Sequence, residues 1–464
     1  MGERTVRGGD RTQRSIFLFW APLAATWLMM AVEGPFLAAV IARLADPEFN
    51  LAAYGVAFAF ALLAEAPVIM LMSASTALVD DATSLRRLRT FTFGLIAIVT
   101  CGMVLMLLPP VYDFVMRDLL ALPDEVAGRT YIALWILLPW PGAIGYRRFY
   151  QGLLIRDGRP RLVAYGTVLR LTAMAGTAIV LFVTLTPAGA VVGAAALAAG
   201  VTAEAAASRW MARDTVRRLA AMPDAAPDEH PPLGYGAIAR FYYPLALTSL
   251  IGLAVQPMLT FFMGRAPAPI ESLAVFPVVN SLGFVFRSLG LSYQEVAIAL
   301  MGKRHEHVRA LGRFALTLGI ASSAGLALVA LTPLSGFWFR TISGLSPELA
   351  TFAIAPTIIL IPIPLLSVLL SFQRGILVVG HTTRPLTWAT VIEVGGIALL
   401  FPLLGWKLGF VGVTAAALAF VAGRSGGNLF LITPCLRALG GSDSAIPADA
   451  AKVPATPDPA EAGG

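Results

Sequence analysis

The clear cases of ionisable side chains inside long apolar runs are Glu33, Glu65, Arg170, Arg287, Glu393 and Arg424. A charge in hydrocarbon is expensive, so such residues face a partner or a polar cavity. Gln256 and Asn280 add neutral polar groups in the same setting. Glu33 stands before Gly34-Pro35, and Glu65 before Ala66-Pro67. Proline frees backbone carbonyls, and a carboxylate beside free carbonyls can hold a proton or a sodium ion. The competing reading is a carboxylate neutralised by an arginine, or one that caps a bent helix. Arg287 offers a planar fork that fits an anionic group. Glu393 and Arg424 lie in the last two apolar runs and read as a structural ion pair.

Other chemistries find little support. The sequence holds no Walker loop and no His-Glu-x-x-His, so nucleotide hydrolysis and zinc peptidase chemistry have no motif. Gly423-Arg424-Ser425-Gly426-Gly427 matches Gly-x-Ser-x-Gly. That motif needs a strand-turn-helix, whereas here it lies in an apolar run where small residues serve helix contact. Lys303-Arg304-His305-Glu306-His307 reads as a solvated charge run, because no further histidine or cysteine is near enough in sequence to complete a metal site. His230 and His381 fall in loops. Cys101 and Cys435 are the only cysteines, which excludes a disulfide framework and a metal thiolate centre. The expectation is a protein that is not an enzyme, with no catalytic residue, metal or cofactor. An intramembrane transferase built on Glu33 or Asp80-Asp81 is the remote alternative.

The elements that must position these residues are spanning helices. The chain is 57% hydrophobic and 13% charged, against about 25% charged in soluble domains. The net charge of +7 lies between apolar runs, which fits a membrane surface and argues against nucleic acid. Apolar stretches long enough to span fall at about 15–42, 51–79, 88–112, 128–150, 161–185 and 188–208, then at about 238–263, 270–300, 309–333, 348–373, 384–405 and 409–434. Lys and Arg favour the even-numbered connections and the termini by roughly four to one, which puts both termini in the cytoplasm. The expected layout is an N-terminal arm (1–14), a six-helix bundle (15–208), a cytoplasmic linker (209–236), a second six-helix bundle (237–437) and a disordered tail (438–464). The first apolar run is too long for a signal-peptide core and reads as a retained helix.

The two bundles are a repeat. Phe19-Trp20 and Pro22-Leu23-Ala24 return as Phe241-Tyr242 and Pro244-Leu245-Ala246, an offset of 222 (244 minus 22). Leu137-Leu138-Pro139-Trp140-Pro141 returns as Leu360-Ile361-Pro362-Ile363-Pro364, an offset of 223 (362 minus 139). Six helices per half make the repeat parallel, related by an axis along the membrane normal. Pro139, Pro141, Pro362 and Pro364 are candidate hinges, with a fixed packing kink as the alternative. The same offset sets Glu65 against Arg287. The two are expected to face each other, and to form a salt bridge where the halves approach closely enough.

Parallel six-helix halves with this spacing resemble the multidrug/oligosaccharidyl-lipid/polysaccharide exporter (MOP) superfamily, over about Phe17 to Arg437. Its members include multidrug and toxic compound extrusion (MATE) transporters, polysaccharide and lipid II flippases, and progressive ankylosis transporters. Phe19-Trp20-Ala21-Pro22-Leu23 and Leu51-Ala52-Ala53-Tyr54-Gly55 look most like the progressive ankylosis branch. The resemblance implies an all-α MATE-like fold, a bacterial inner (plasma) membrane location, and two bundles that open a central cavity to alternate sides. It implies a monomeric secondary active exporter of an organic anion of pyrophosphate or carboxylate type, coupled to protons or sodium. The alternatives are a multidrug cation antiporter and a lipid-linked polysaccharide flippase. In the resembling fold the first two helices of each half line the cavity. That places Glu33, Glu65, Gln256, Asn280 and Arg287 there and leaves Arg170 peripheral.

Overall fold

The computed structural model describes residues 12–79, 81–157, 159–185, 187–222, 234–302, 305–380, 382 and 384–440. His230, Lys303, Arg304, His381, the start of the N-terminal arm, part of the linker and the tail lie outside the described residues. The first half comprises α1 (Gln13–Ala31), α2 (Glu33–Ile41), α3 (Pro47–Glu65), α4 (Leu71–Leu78), α5 (Ala82–Met106), α6 (Pro109–Asp113), α7 (Asp124–Ile136), α8 (Trp140–Arg156), α9 (Pro160–Thr184), α10 (Gly189–Met211) and α11 (Arg213–Ala221). The second comprises α12 (Tyr235–Leu253), α13 (Val255–Gly264), α14 (Pro269–Leu300), α15 (Val308–Leu331), α16 (Leu334–Gly336), α17 (Pro347–Ile359), α18 (Ile363–Val379), α19 (Arg384–Phe401) and α20 (Gly412–Gly440).

Eleven helices among the described residues are long and apolar enough to cross a bilayer. The chain is therefore a multi-pass, all-α membrane protein. The further span expected at 128–150 is α7 and α8, split by a turn at Pro139. Outward-facing Ile98, Val183 and Leu399 are 70–78% exposed, a cost in water that lipid removes. The stretch expected as a polar linker begins with helix. The short α11 docks on the α8 terminus, where Thr215 Oγ1 donates to Asp157 Oδ2 at 2.7 Å.

The repeat is visible in the backbone. Asp46 and Ala268 take left-handed conformations just before α3 and α14. Ala121 and Gly344 do so after two π-helical segments, Phe114–Leu119 and Phe337–Ile342. The paired prolines break both halves alike. Trp140 N–H bonds Leu137 O at 2.8 Å, and Ile363 N–H bonds Leu360 O at 2.9 Å, three-residue turns where an α-helix would continue.

The halves join along α14, which packs on α3 and α2. A Cβ at Gly55 would lie 2.6 Å from Pro277 Cγ, and one at Gly34 would lie 2.8 Å from Ser281 Cβ, so only glycine permits this approach. The leading helix of each half crosses to the other. Ile16, Trp20 and Ala24 of α1 are buried in a cluster with Tyr293 and Phe314, and Trp20 Nε1 donates to Ser292 Oγ at 2.8 Å. Its repeat partner Tyr242, on α12, donates to Pro67 O and packs against Phe91 with ring centroids 5.4 Å apart. At the end away from the described termini, Arg43 donates to Thr341 O and Arg265 donates to Asp118 O at 2.8 Å. These are repeat-equivalent arginines, each bonded to a carbonyl in the other half's π-helical segment.

Candidate functional site

The second half encloses a cavity of about 570 Å³, open solvent included, between α13, α14, α17, α18 and α20. On α14, Phe276, Asn280, Gly283 and Arg287 recur at i, i+4, i+7 and i+11, and so share one face that lines it. Gln256 of α13 lines it too. Arg287 is its only ionisable lining residue. The guanidinium lies 5.2 Å from the Phe284 ring centroid and 5.7 Å from that of Phe420. Its Nε is buried without a hydrogen-bond partner, and among the described residues no carboxylate stands within 4.0 Å of it. A half-buried cation flanked by ring faces is ready for an incoming anion. The neighbouring Arg424 is already committed. Its Nε donates to Glu393 Oε1 at 2.8 Å and its Nη2 stands 2.6 Å from the same oxygen, so this pair presents no net charge.

The first half holds a buried chain of charges. Glu33 accepts from Arg170 Nη2. Arg170 Nε lies 3.7 Å from Glu204 Oε2. Glu204 accepts from Arg147 Nη1, and from Gln151 Nε2 at 3.0 Å. The side chain of Glu204 is fully buried, whereas that of Glu33 is 15% exposed. Glu33 is thus the less buried carboxylate of the chain.

Of the five residues expected around one cavity, the structure brings Gln256, Asn280 and Arg287 together. Glu33 and Glu65 stand elsewhere. Glu33 joins the charge chain, and the arginine that binds it is Arg170, which corrects the expectation that Arg170 is peripheral. Glu65 is buried where α3 ends, and its Oε2 accepts from Trp140 Nε1 at 2.8 Å. Glu65 and Arg287 form no pair here. The repeat diverges at this point: Pro67 follows the end of α3, while α14 runs unbroken to Leu300, so the two side chains leave different backbones. Glu204, Arg147 and Gln151 were not read from the sequence. Arg147 falls near the end of the expected 128–150 span, where an arginine reads as a connection charge, yet it is 5% exposed. The available signal was Arg147 and Gln151 at i and i+4, a shared polar face on an apolar helix.

No family profile and no curated protein matches this chain. Solved structures do. The chain is similar to an inward-facing multidrug resistance MATE family transporter of the MOP superfamily, at TM-score 0.69 and 16% identity, covering 95% of this chain and 97% of that one. It is similar to the lipid II flippase MurJ in an inward closed conformation, at TM-score 0.68 and 14% identity, covering 92% and 90%. It is also similar to a MOP superfamily transporter from Pyrococcus furiosus described as having a binding pocket of reverse polarity, at TM-score 0.57 and 17% identity, covering 94% and 99%. The fold is MATE-like over nearly the whole chain.

Proposed function

We propose that this chain is a secondary active transporter that works by alternating access between its two halves and carries an organic anion. The observation that carries the reading is Arg287: a cation without a carboxylate partner, in a cavity with Gln256 and Asn280 as further donors. A lipophilic cation would meet an unneutralised arginine in that cavity, which disfavours the multidrug-cation alternative. The exporter direction belongs to the same proposal and rests on the superfamily resemblance, and the kinship with progressive ankylosis transporters rests on the first two helices alone. The charge chain of the first half is the proposed coupling site. Protonation or sodium binding at Glu33 would release Arg170 and change how α2 sits against α9. Glu65, hydrogen-bonded to Trp140 beside the break between α7 and α8, is the second candidate for that role.

Flux tests the proposal. In proteoliposomes, an organic carboxylate such as 4-phenylbutyrate is expected to move against its gradient when a proton or sodium gradient is imposed. Arg287→Ala should abolish that movement, and Glu33→Gln should uncouple it from the ion gradient. Uptake of lipophilic cations that ignores Arg287→Ala would reverse the assignment.

A further inference from the structure

The cavity around Arg287 limits what kind of anion fits. Its lining presents one ionisable group and two carboxamides, Gln256 and Asn280. The remaining walls are aliphatic or aromatic, with Leu259, Phe276, Ile363 and Phe420 among them. The nearest other charges, Arg424 and Glu393, neutralise each other through two short contacts. The site therefore offers about one unit of positive charge. A ligand with two or more negative charges would leave at least one unpaired among apolar walls, and an unpaired buried charge is strongly disfavoured. A small monoanion without an apolar body would leave the walls uncovered and the cavity wet.

We infer that the ligand of this cavity is an amphipathic organic monoanion: one carboxylate or equivalent acid on an aryl or short acyl body, not pyrophosphate or another polyanion. The acid takes the Arg287 fork, with the Gln256 and Asn280 amides as further donors. The apolar body packs on the Phe276 and Phe420 rings. This inference rests on reading the cavity as the substrate site.

Titration calorimetry on the purified full-length protein tests the class with four probes: 4-phenylbutyrate, its uncharged amide, 4-phenylbutan-1-amine and pyrophosphate. The inference expects 4-phenylbutyrate to bind, and each of the other three to bind at least tenfold more weakly. Arg287→Gln should weaken 4-phenylbutyrate at least tenfold. Gly283→Leu provides a second variant in case the first fails to fold. A Cβ at Gly283 has only Leu360 Cδ1 near it, at 4.0 Å, so the added side chain fills the cavity and should also weaken binding at least tenfold. Pyrophosphate binding as tightly as 4-phenylbutyrate would overturn the class, as would 4-phenylbutyrate binding that ignores both variants. Flux separates this result from the proposed function. Binding of 4-phenylbutyrate without transport leaves the ligand class standing and removes the transport reading. Arg287-dependent transport of pyrophosphate does the reverse.

Discussion

Arg147 and Glu204 meet in the driest part of the first half, and their pairing sets the cost of disturbing it. Removing one member of a buried pair leaves a charge without compensation, typically about 3–5 kcal/mol, whereas replacing both with apolar groups is often neutral. Arg147→Met alone should therefore lower the thermal transition of the purified protein strongly. Arg147→Met with Glu204→Leu should recover most of the loss, with Arg170 still held by Glu33. A double variant as unstable as the single one would show that Glu204 mainly serves Arg170. At this scale the sequence was half legible. Asn280 and Arg287 share one face of a continuous helix, so their spacing alone groups them. The bond from Arg170 to Glu33 joins residues 137 apart in sequence, and no local pattern records which helices become neighbours. Arg147 stayed hidden because it falls near the end of the expected 128–150 span, whereas α8 runs on to Arg156 and buries it mid-helix.

Two kinds of element are placed to move. The first is the turn at Pro139 and its repeat at Pro362, where three-residue turns replace the α-helical backbone bonds. If the first turn is a hinge, Pro139→Ala with Pro141→Ala should slow flux severalfold and leave the folded fraction intact, as judged by size-exclusion elution. Unchanged flux would make these prolines packing kinks. The second is the pair of arginine contacts at the end away from the termini, Arg43 to Thr341 and Arg265 to Asp118. A net hydrogen bond is worth about 1 kcal/mol, so losing both shifts an open–closed equilibrium by about 30-fold. Spin labels at Glu125→Cys and Glu348→Cys, exposed and repeat-equivalent, report that end. Arg43→Ala with Arg265→Ala should raise the population of longer label distances. Identical distance distributions would mean that these contacts do not hold the halves together. The broken helices were legible because the proline pairs recur in the sequence. The arginine contacts were not, since each joins a loop to a carbonyl, and a carbonyl carries no sequence signal.

Across the whole molecule, the parallel repeat was legible from apolar length, charge alternation and the recurring proline motifs, and the MATE-like fold agrees with it. What the repeat concealed is asymmetry. Equivalent positions carry different chemistry: the first half buries a chain of paired charges, and the second holds a cavity with one unpaired cation. Strict symmetry predicted that Glu65 and Arg287 would face each other, and the early end of α3 separates them. The proposed division of work follows this asymmetry, with ion coupling in one half and anion binding in the other, linked by rocking about α14. In the proposed cycle the Arg287 cavity opens to each side of the membrane in turn. The most direct measurement is labelling of Asn280→Cys by an impermeant thiol reagent applied from one face and then the other. Cys101 and Cys435 are first replaced by serine and alanine. The account predicts labelling from both faces, slowed on both by 4-phenylbutyrate. Labelling from one face only, under every ion gradient, would contradict it.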